Sequence, residues 1–184
     1  MVLETKRLVL RPWTEADAES LYEYAHDPDV GPAAGWPPHE SAEESRKIIP
    51  RVLSGAECYA ICEKGNDRPI GSIELMLNER ARETDRDDEC ELGYWVGKPF
   101  WGRGYMPEAA EALMRRGFED LGMNAIWCAY YDGNEKSRRV QEKLGFTHHH
   151  TCENAPVALL HETRICHVNR MTRKQWQKTH QNCT

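Results

Sequence analysis

Two closely spaced glycines separate a strand-like segment from a helix-like segment near the middle of the chain. Leu92–Val96 is apolar and aromatic, and the loop Trp101–Met106 that follows contains Gly102 and Gly104. The first turn of a helix carries unpartnered N–H groups and a partial positive charge, and glycines before it let the backbone approach a bulky anion. With the positive charge of Arg103, this spacing predicts a phosphate or pyrophosphate site. A tight strand-to-helix turn needs the same glycines and is the alternative.

The loop differs from both common nucleotide-binding loops. No Gly-Lys-Ser/Thr follows it, which excludes a P-loop, and Pro107 stands where a dinucleotide fingerprint needs its third glycine. Proline is best tolerated at the first helical position, so we expect the helix to begin at Pro107. Gly122 lies just past the last apolar residue of this helix and is expected to end it.

The segment Glu91–Ala109, ELGYWVGKPFWGRGYMPEA, resembles the acetyl-CoA pyrophosphate loop of the GNAT superfamily of N-acetyltransferases. Within that superfamily it is similar to the Rim-type branch, which contains ribosomal-protein N-terminal acetyltransferases. The family loop is written Gln/Arg-x-x-Gly-x-Gly/Ala. Here Trp101, Gly104 and Met106 occupy the first, fourth and sixth positions, so the Trp and the Met depart from the general pattern.

Two further motifs support the resemblance, which covers roughly residues 3–176. Asn134-x-x-Ser137 precedes Leu144-Gly145-Phe146 as in family members, and Glu4–Arg11 is similar to the first strand of the family. The resemblance implies an α/β (α+β) GNAT fold, a splayed mixed sheet of about seven strands flanked by helices. It also implies direct transfer of acetyl from acetyl-CoA to a primary amine, either a protein N-terminus or a small molecule.

The resemblance assigns cofactor contacts residue by residue. The main chain of Trp95 and Val96 would bond the pantetheine arm and the acetyl oxygen. Asn134 would contact the cofactor, and Ser137 would protonate the departing thiolate. Many GNAT enzymes use a tyrosine further along this helix, and its absence here favours the serine or a water. The pyrophosphate would be held by Trp101, Gly102, Arg103, Gly104, Tyr105 and Met106.

Acetyl transfer to an amine also needs a base. A free alkyl amine has a pKa near ~10 and is mostly protonated at neutral pH, so a carboxylate or imidazole must remove a proton before it attacks. Glu91 is the first candidate, because it lies in the strand that leads to the loop, with Gly93 and Trp95 on its face by alternation. Glu74 in the preceding strand is the second candidate and a residue of the acceptor site. Either could instead be a solvent-facing strand carboxylate.

Trp36 is a candidate wall of the acceptor site, because in similar families the segment between the first two helices borders that site. Packing beneath its own loop is the alternative. The run His148-His149-His150 has no zinc-ligand spacing, and adjacent histidines in a strand point to opposite faces, so we expect no metal. One of these histidines acting as the base remains open.

Composition fits a single globular domain. The 184 residues are 40% hydrophobic and 29% charged, with a net charge of −6 that disfavours nucleic-acid binding and favours cationic partners. The seven cysteines form no C-x-x-C, and no apolar run reaches the length of a membrane span. We therefore expect a cytoplasmic, reduced protein, monomeric or homodimeric, that binds neither membranes nor nucleic acids.

Local signals predict the order of elements in one domain, residues 1–184, with a core at about 3–176 and a polar tail at 177–184. Capping boxes at Thr14 and Ser41 predict two helices, the second kinked or interrupted by Pro50. Trp176 is expected to dock on the body. The remaining expectations are a stiff loop at Gly31–Pro38, strands at Arg7–Arg11, Cys58–Glu63, Pro69–Leu77 and Ala125–Tyr131, a solvated charge run at Asn78–Asp88, a helix at Asn134–Leu144, and closing strands from Phe146 and at Leu159–Met171.

Two other functions are open at this point. A non-catalytic acyl-CoA sensor would share the cofactor loop but lack a competent acid–base pair. A nucleic-acid-binding module is disfavoured by the net charge.

Overall fold

The computed structural model describes residues 1–180, which form an eight-stranded mixed sheet with helices on both faces. The strands run in the order β1-β2-β3-β4-β5-β6-β8-β7. They are β1 (Leu3–Glu4), β2 (Leu8–Arg11), β3 (Cys58–Glu63), β4 (Pro69–Leu77), β5 (Glu89–Val96), β6 (Ala125–Tyr131), β7 (Thr147–Val157) and β8 (Glu162–Thr172). The helices are α1 (Ala18–Ala25), α2 (Gly31–Ala34), α3 (Ala42–Val52), α4 (Tyr105–Arg115), α5 (Glu135–Leu144) and α6 (Arg173–His180). The expected splayed mixed sheet flanked by helices is confirmed.

Each face of the sheet is covered by its own set of helices. On one face, Leu21 of α1 and Ile49 of α3 are buried against the sheet. On the other face, Leu113 and Met114 of α4 are fully buried in the larger core, which also receives Trp176 of α6. The buried residues of α4 recur at three and four residues, as in an amphipathic helix: Met106, Ala109, Ala110, Leu113 and Met114.

The two central strands are joined over only part of their length. β5 and β6 run parallel, and their pairing is confined to Glu89–Glu91 opposite Ala125–Trp127. β5 continues to Val96 and β6 to Tyr131, whereas β4 stays paired with β5 up to the Gly71–Val96 pair. Beyond Glu91 the sheet therefore opens into a gap between β5 and β6.

Several local predictions are confirmed at residue level. The predicted bounds of β3, β4 and β6 agree with those observed. In the first capping box the backbone N–H of Thr14 donates to Asp17 Oδ2 at 2.9 Å, and in the second the N–H of Glu44 donates to Ser41 Oγ at 3.1 Å. A π-helical turn, Arg116–Asp120, continues α4, and Gly122 follows it with a φ of +73°, as expected for the residue that ends the helix.

Three local predictions are corrected. Helix α4 begins at Tyr105 rather than at Pro107, because Gly104 adopts a left-handed φ of +75° and starts the helix. Proline is tolerated at the third position, since no N–H of the first turn has an intrahelical acceptor. Pro50 does not interrupt α3, which continues to Val52, because the proline lies in the last turn of the helix. The Gly31–Pro38 segment is not entirely loop, since its first residues form α2, with a proline near its start.

The chain end packs as α6, although the last four residues of the predicted tail, 181–184, lie outside the described residues. Trp176 is 3% exposed, stacks on Phe118 at a ring-centroid distance of 5.3 Å and donates its indole N–H to Glu119. Its expected docking is confirmed. Within residues 1–180, no helix has the length and apolar character needed to cross a membrane.

Replacing Trp176 with alanine is expected to lower the free energy of unfolding by about 3–5 kcal/mol, the usual cost of removing a buried aromatic side chain. Urea unfolding followed by fluorescence or circular dichroism measures this change. Lys174→Ala, on the exposed side of the same helix, is the control and should stay within about 0.5 kcal/mol. A small effect of Trp176→Ala would show that α6 is peripheral to the core.

Candidate active site

The gap between β5 and β6 is the centre of a cleft of about 680 Å³ that is lined from both faces of the sheet. Trp36 and Leu53 line it on the face of α1 and α3, whereas Tyr105 and Lys136 line it on the face of α4 and α5. The cleft therefore passes through the sheet. All the site residues expected from the sequence except Arg103 line it: Trp36, Glu74, Glu91, Trp95, Val96, Trp101, Gly102, Gly104, Tyr105, Met106, Asn134 and Ser137.

The glycine loop presents unpartnered backbone donors to the cleft. Gly102 and Gly104 both have left-handed φ values, +74° and +75°, which L residues rarely adopt. Among the described residues, no acceptor lies within hydrogen-bond reach of the backbone N–H groups of Gly102 to Met106. Gly102, Arg103 and Gly104 are exposed, so these N–H groups face solvent, and free donors at a helix start could hold an anion.

The side chains of this loop mainly hold its shape. The indole N–H of Trp101 donates to the carbonyl of Val96 at 2.8 Å, and the Tyr105 hydroxyl donates to Glu63 at 2.5 Å. Met106 is buried in the core, and the Arg103 guanidinium lies 5.3 Å from the Phe100 ring centroid, outside the cleft. The backbone of the loop, more than its side chains, is therefore available to an anion in the cleft.

Arg7 braces the loop from β2's side of the sheet, a role that sequence reasoning missed. Its guanidinium donates to the carbonyl of Arg103 at 3.0 Å and to Glu108 Oε2 at 2.7 Å. These partners lie about a hundred residues away along the chain, so no local pattern could have indicated them.

The start of α5 faces the same cleft. Asn134 Oδ1 accepts the backbone N–H of Ser137 at 3.2 Å, and Asn134 Nδ2 donates to the carbonyl of Ala33 in α2 at 3.1 Å. Asn134 thus caps α5 and ties it to the segment that borders the other end of the cleft. Ser137 Oγ lies 3.0 Å from the hydroxyl of Tyr94, which reaches it from β5. Helix α5 has no tyrosine, but the fold supplies one from the neighbouring strand.

Two carboxylates lie on the opposite face of the sheet. Glu74 pairs with Gly93 and Met76 pairs with Glu91 across β4 and β5, so both glutamates share the face of Trp95. Glu91 is 7% exposed and accepts the backbone N–H of Arg82 at 2.7 Å. Burial raises the pKa of Glu91, and the Arg82 N–H only partly offsets this.

Glu74 differs from Glu91 in having a cationic partner. Its Oε1 accepts the guanidinium Nε of Arg80 at 2.8 Å. Burial nevertheless raises the pKa of Glu74, with Arg80 opposing the shift. The charge run at Asn78–Asp88, expected to be only a solvated loop, therefore supplies Arg80 to one carboxylate and the Arg82 N–H to the other.

Helix α5 carries a row of cations along the cleft that sequence reasoning missed. Lys136, Arg139 and Lys143 line the cleft, and none has a carboxylate partner among the described residues. Arg138, on another side of the helix, is instead paired with two glutamates of the same helix. The spacing of three and four residues is a helical face and was the available signal.

Trp36 lies at the cleft and also packs against its own segment. It lines the cleft and packs edge-to-face on Trp95 at a ring-centroid distance of 5.7 Å, while its ring also sits directly over Gly31. The histidine run lies on exposed β7, away from the cleft. In the part of the chain that the structure describes, no three His, Cys, Asp or Glu side chains are arranged to hold a metal ion.

Residues 7–147 match the profile of the family described as an acetyltransferase (GNAT) domain. The chain belongs to the GNAT acetyltransferase family. It is 29% identical over 149 residues to uncharacterized N-acetyltransferase p20 of Bacillus licheniformis, covering 78% of this chain and 81% of that protein. It is also 41% identical over 58 residues, 32% of each chain, to the putative ribosomal N-acetyltransferase YdaF of Bacillus subtilis.

The fold agrees with that of a solved GNAT-family acetyltransferase from Bacillus anthracis, with a TM-score of 0.81 at 22% identity over 95% of this chain and 99% of that one. The expected membership of the GNAT superfamily is confirmed, and the YdaF match is consistent with the Rim-type branch. This GNAT chain is thus an acetyltransferase of a family that generally uses acetyl-CoA.

For this GNAT acetyltransferase, Glu91→Gln is expected to raise stability at pH 7 while lowering the transfer rate about 10²–10⁴-fold, the usual contribution of a general base. The folded-state pKa of Glu91 is raised, so its protonated form contributes stability that is lost as pH rises through that pKa. Glutamine does not ionise, and its side-chain oxygen still accepts the hydrogen bond from the backbone N–H of Arg82. Thermal unfolding should show a higher Tm for the variant at pH 7 and equal values below the ordinary pKa of glutamate.

The same burial predicts that the acidic limb of the wild-type rate profile lies above the ordinary pKa of glutamate, about 4.3. Glu153→Gln, at an exposed site on β7, is the control and should change neither profile. An unchanged rate for Glu91→Gln would exclude Glu91 as the base.

Proposed function

We propose that this chain uses acetyl-CoA to acetylate a primary amine by direct transfer, with a protein N-terminal amine as the first candidate acceptor. The observation that carries the proposal is the cleft through the sheet. One end presents free backbone N–H groups and cations, and the other end presents two carboxylates, the buried Glu91 and the half-buried Glu74. An anionic cosubstrate and a cationic acceptor would meet at the gap between β5 and β6.

The residues at the α4 and α5 end fit the cosubstrate. The free N–H groups of Gly102 to Met106 would hold the pyrophosphate, and Lys136, Arg139 and Lys143 would face its phosphates. The main chain of Trp95 and Val96 would bind the pantetheine arm where β5 has left its β6 partner, with the Val96 carbonyl already accepting the Trp101 indole N–H. With its pyrophosphate at the loop and its pantetheine arm along β5, acetyl-CoA would supply the acetyl group as a thioester whose acetyl carbon lies within the gap.

Glu91 is the proposed base. Its carboxylate accepts a backbone N–H but has no cationic side-chain partner within residues 1–180, whereas Glu74 is held by Arg80. The raised pKa of Glu91 makes it a stronger base than an ordinary glutamate. Glu74 would add negative charge that holds the ammonium form of the acceptor, and Trp36 with Trp95 would form its apolar wall.

Direct transfer is supported by the state of the cleft cysteines. Cys128 and Cys166 line the cleft, but burial raises the pKa of Cys128 well above its usual value and that of Cys166 to about 11. A thiol that stays protonated at neutral pH is a poor nucleophile. We therefore propose that no acetyl-cysteine forms, and that the acceptor nitrogen attacks the thioester itself.

The proposed acceptor and cellular setting are supported by a similar protein, the net charge and the cysteines. The match to a relative named as a putative ribosomal N-acetyltransferase favours a protein N-terminus. The net charge of −6 disfavours nucleic acid, and six free cysteines within the described residues suit a reducing cytoplasm. A monomer or homodimer remains our expectation.

The central test is calorimetric titration of the full chain with acetyl-CoA, beside Gly104→Asp. We expect micromolar binding by the wild type and about 100-fold weaker binding by the variant, because a carboxylate beside the free N–H groups repels phosphate. Gly65→Asp is the matched control: Gly65 also has a left-handed φ, +85°, and lies in a turn outside the cleft. Absence of binding by the wild type would remove the proposed function.

The cations of α5 give a separate prediction. Arg139→Glu and Lys143→Glu should each weaken acetyl-CoA binding about tenfold and reduce its salt dependence, since each removes an attractive charge near the phosphates. Binding of acetyl-pantetheine, which lacks the nucleotide, should be unchanged. Lys174→Glu alters the net charge equally at an exposed site on α6 and should have no effect. Equal loss with both ligands would contradict a phosphate role.

The acceptor is tested by release of CoA thiol with two panels, short peptides with free N-termini and small amines such as polyamines and amino acids. Faster release with peptides supports a protein N-terminus as the acceptor. Faster release with small amines would show that the acceptor is a small molecule instead. Binding of acetyl-CoA with no release in either panel would favour a non-catalytic acyl-CoA sensor.

A further inference from the structure

Two polar side chains are buried beneath α5 where apolar ones would pack. Gln141 is fully buried and Asn169 of β8 is 8% exposed, yet the neighbouring inward residues Val140 and Leu144 are apolar. A buried amide costs free energy unless its hydrogen bonds are made, so the position of this pair calls for a physical reason.

The hydrogen bonds of the pair fix the orientation of Gln141. Asn169 Nδ2 donates to Gln141 Oε1 at 2.7 Å, and Gln141 Nε2 donates to the carbonyl of Ala129 at 3.2 Å. A backbone carbonyl can only accept, so the amide nitrogen of Gln141 must face it. The same nitrogen lies 3.2 Å from Ser137 Oγ, which therefore accepts a hydrogen bond from Gln141.

Tyr94 approaches the same serine from β5. Its hydroxyl lies 3.0 Å from Ser137 Oγ and 3.3 Å from the Ser137 carbonyl. Burial raises the pKa of Tyr94 well above its usual value, so the phenol keeps its hydrogen. When this hydrogen points to Ser137 Oγ, both lone pairs of that oxygen are occupied. The hydrogen of Ser137 is then free to point into the cleft.

We propose that Tyr94 and Gln141 are positioning residues that saturate Ser137 Oγ as an acceptor, so that its own hydrogen is directed at the sulfur that leaves during acetyl transfer. Asn169 acts one step further back by orienting Gln141. Gln141 does not line the cleft and acts through Ser137, whereas Tyr94 and Ser137 both line it. The inference rests on the proposed function.

The step that this network serves is balanced as follows. The acceptor nitrogen forms a C–N bond to the acetyl carbon, its proton passes to Glu91, and the C–S bond breaks with its electron pair on sulfur. The Ser137 O–H donates a hydrogen bond to the resulting thiolate, which takes a proton from solvent on release. A negative sulfur in the cleft itself favours the arrangement in which Tyr94 donates to Ser137 Oγ.

The test needs no identified acceptor, because it measures the pKa of the CoA thiol bound to the full chain. Thiolate absorbance in the ultraviolet is followed against pH, and the same protein with desulfo-CoA is the blank. In the wild type we expect a pKa below that of free CoA. Ser137→Ala should raise it by about one unit, because the thiolate loses a hydrogen bond to its charge.

Tyr94→Phe and Gln141→Met should each raise the thiol pKa by less than Ser137→Ala does. The double variant Tyr94→Phe/Ser137→Ala should match Ser137→Ala alone, since Tyr94 acts only through the serine. Tyr94→Phe retains the ring and carries the test if Gln141→Met does not fold. Tyr22→Phe, at a half-buried tyrosine on α1, is the control and should leave the pKa at the wild-type value.

Four outcomes would overturn the inference. A bound-CoA thiol pKa that is the same in Tyr94→Phe as in the wild type would show that the tyrosine does not position Ser137. Additive shifts in the double variant would show that Tyr94 contacts the sulfur directly. Failure of the wild type to bind desulfo-CoA would remove the proposed function as well, whereas normal desulfo-CoA binding with an unshifted thiol pKa would reject this inference alone.

Discussion

The structure depends on one interruption of backbone pairing, the separation of β5 from β6 beyond Glu91 and Trp127. Separated strands leave carbonyls and N–H groups without partners, which a protein interior does not tolerate. Side chains provide hydrogen-bond partners for some of these backbone groups. The indole of Trp101 satisfies the carbonyl of Val96 on one side of the gap, and the amide of Gln141 satisfies the carbonyl of Ala129 on the other.

The closed end of the gap is fixed by a buried charge. Glu89 accepts the indole N–H of Trp127 at 2.5 Å and the guanidinium of Arg170 at 2.6 Å, which joins β5, β6 and β8 just before the strands part. A carboxylate that is 4% exposed is tolerated because its oxygens are occupied by donors. Glu89 and Glu91 thus differ in environment, since Glu91 has no cationic side-chain partner in the described part of the chain.

Charge is sorted across the sheet in a way that the net charge of −6 does not suggest. Unpaired cations of α5 line the cleft on one face, and Glu74 and Glu91 line it on the other. Each arrangement opposes stability, since buried carboxylates resist ionisation and neighbouring cations repel one another. The proposed function gives both a reason, because an anionic cosubstrate and a cationic amine would each neutralise one end.

The sequence by itself determined the elements whose signals are local. Capping residues predicted the starts of the first two main helices, hairpin chemistry predicted β3 and β4, and the spaced glycines located the loop before α4 that lines the cleft. The resemblance to the family pointed to Ser137, which lines the same cleft. It misplaced the start of α4 at Pro107, because the left-handed turn at Gly104 sets that boundary.

Only the tertiary structure brought Tyr94 to Ser137, Arg7 to the loop carbonyl and Arg80 to Glu74. These contacts depend on how strands and helices pack, and side-chain hydrogen bonds between separate elements leave no periodic trace in a single sequence.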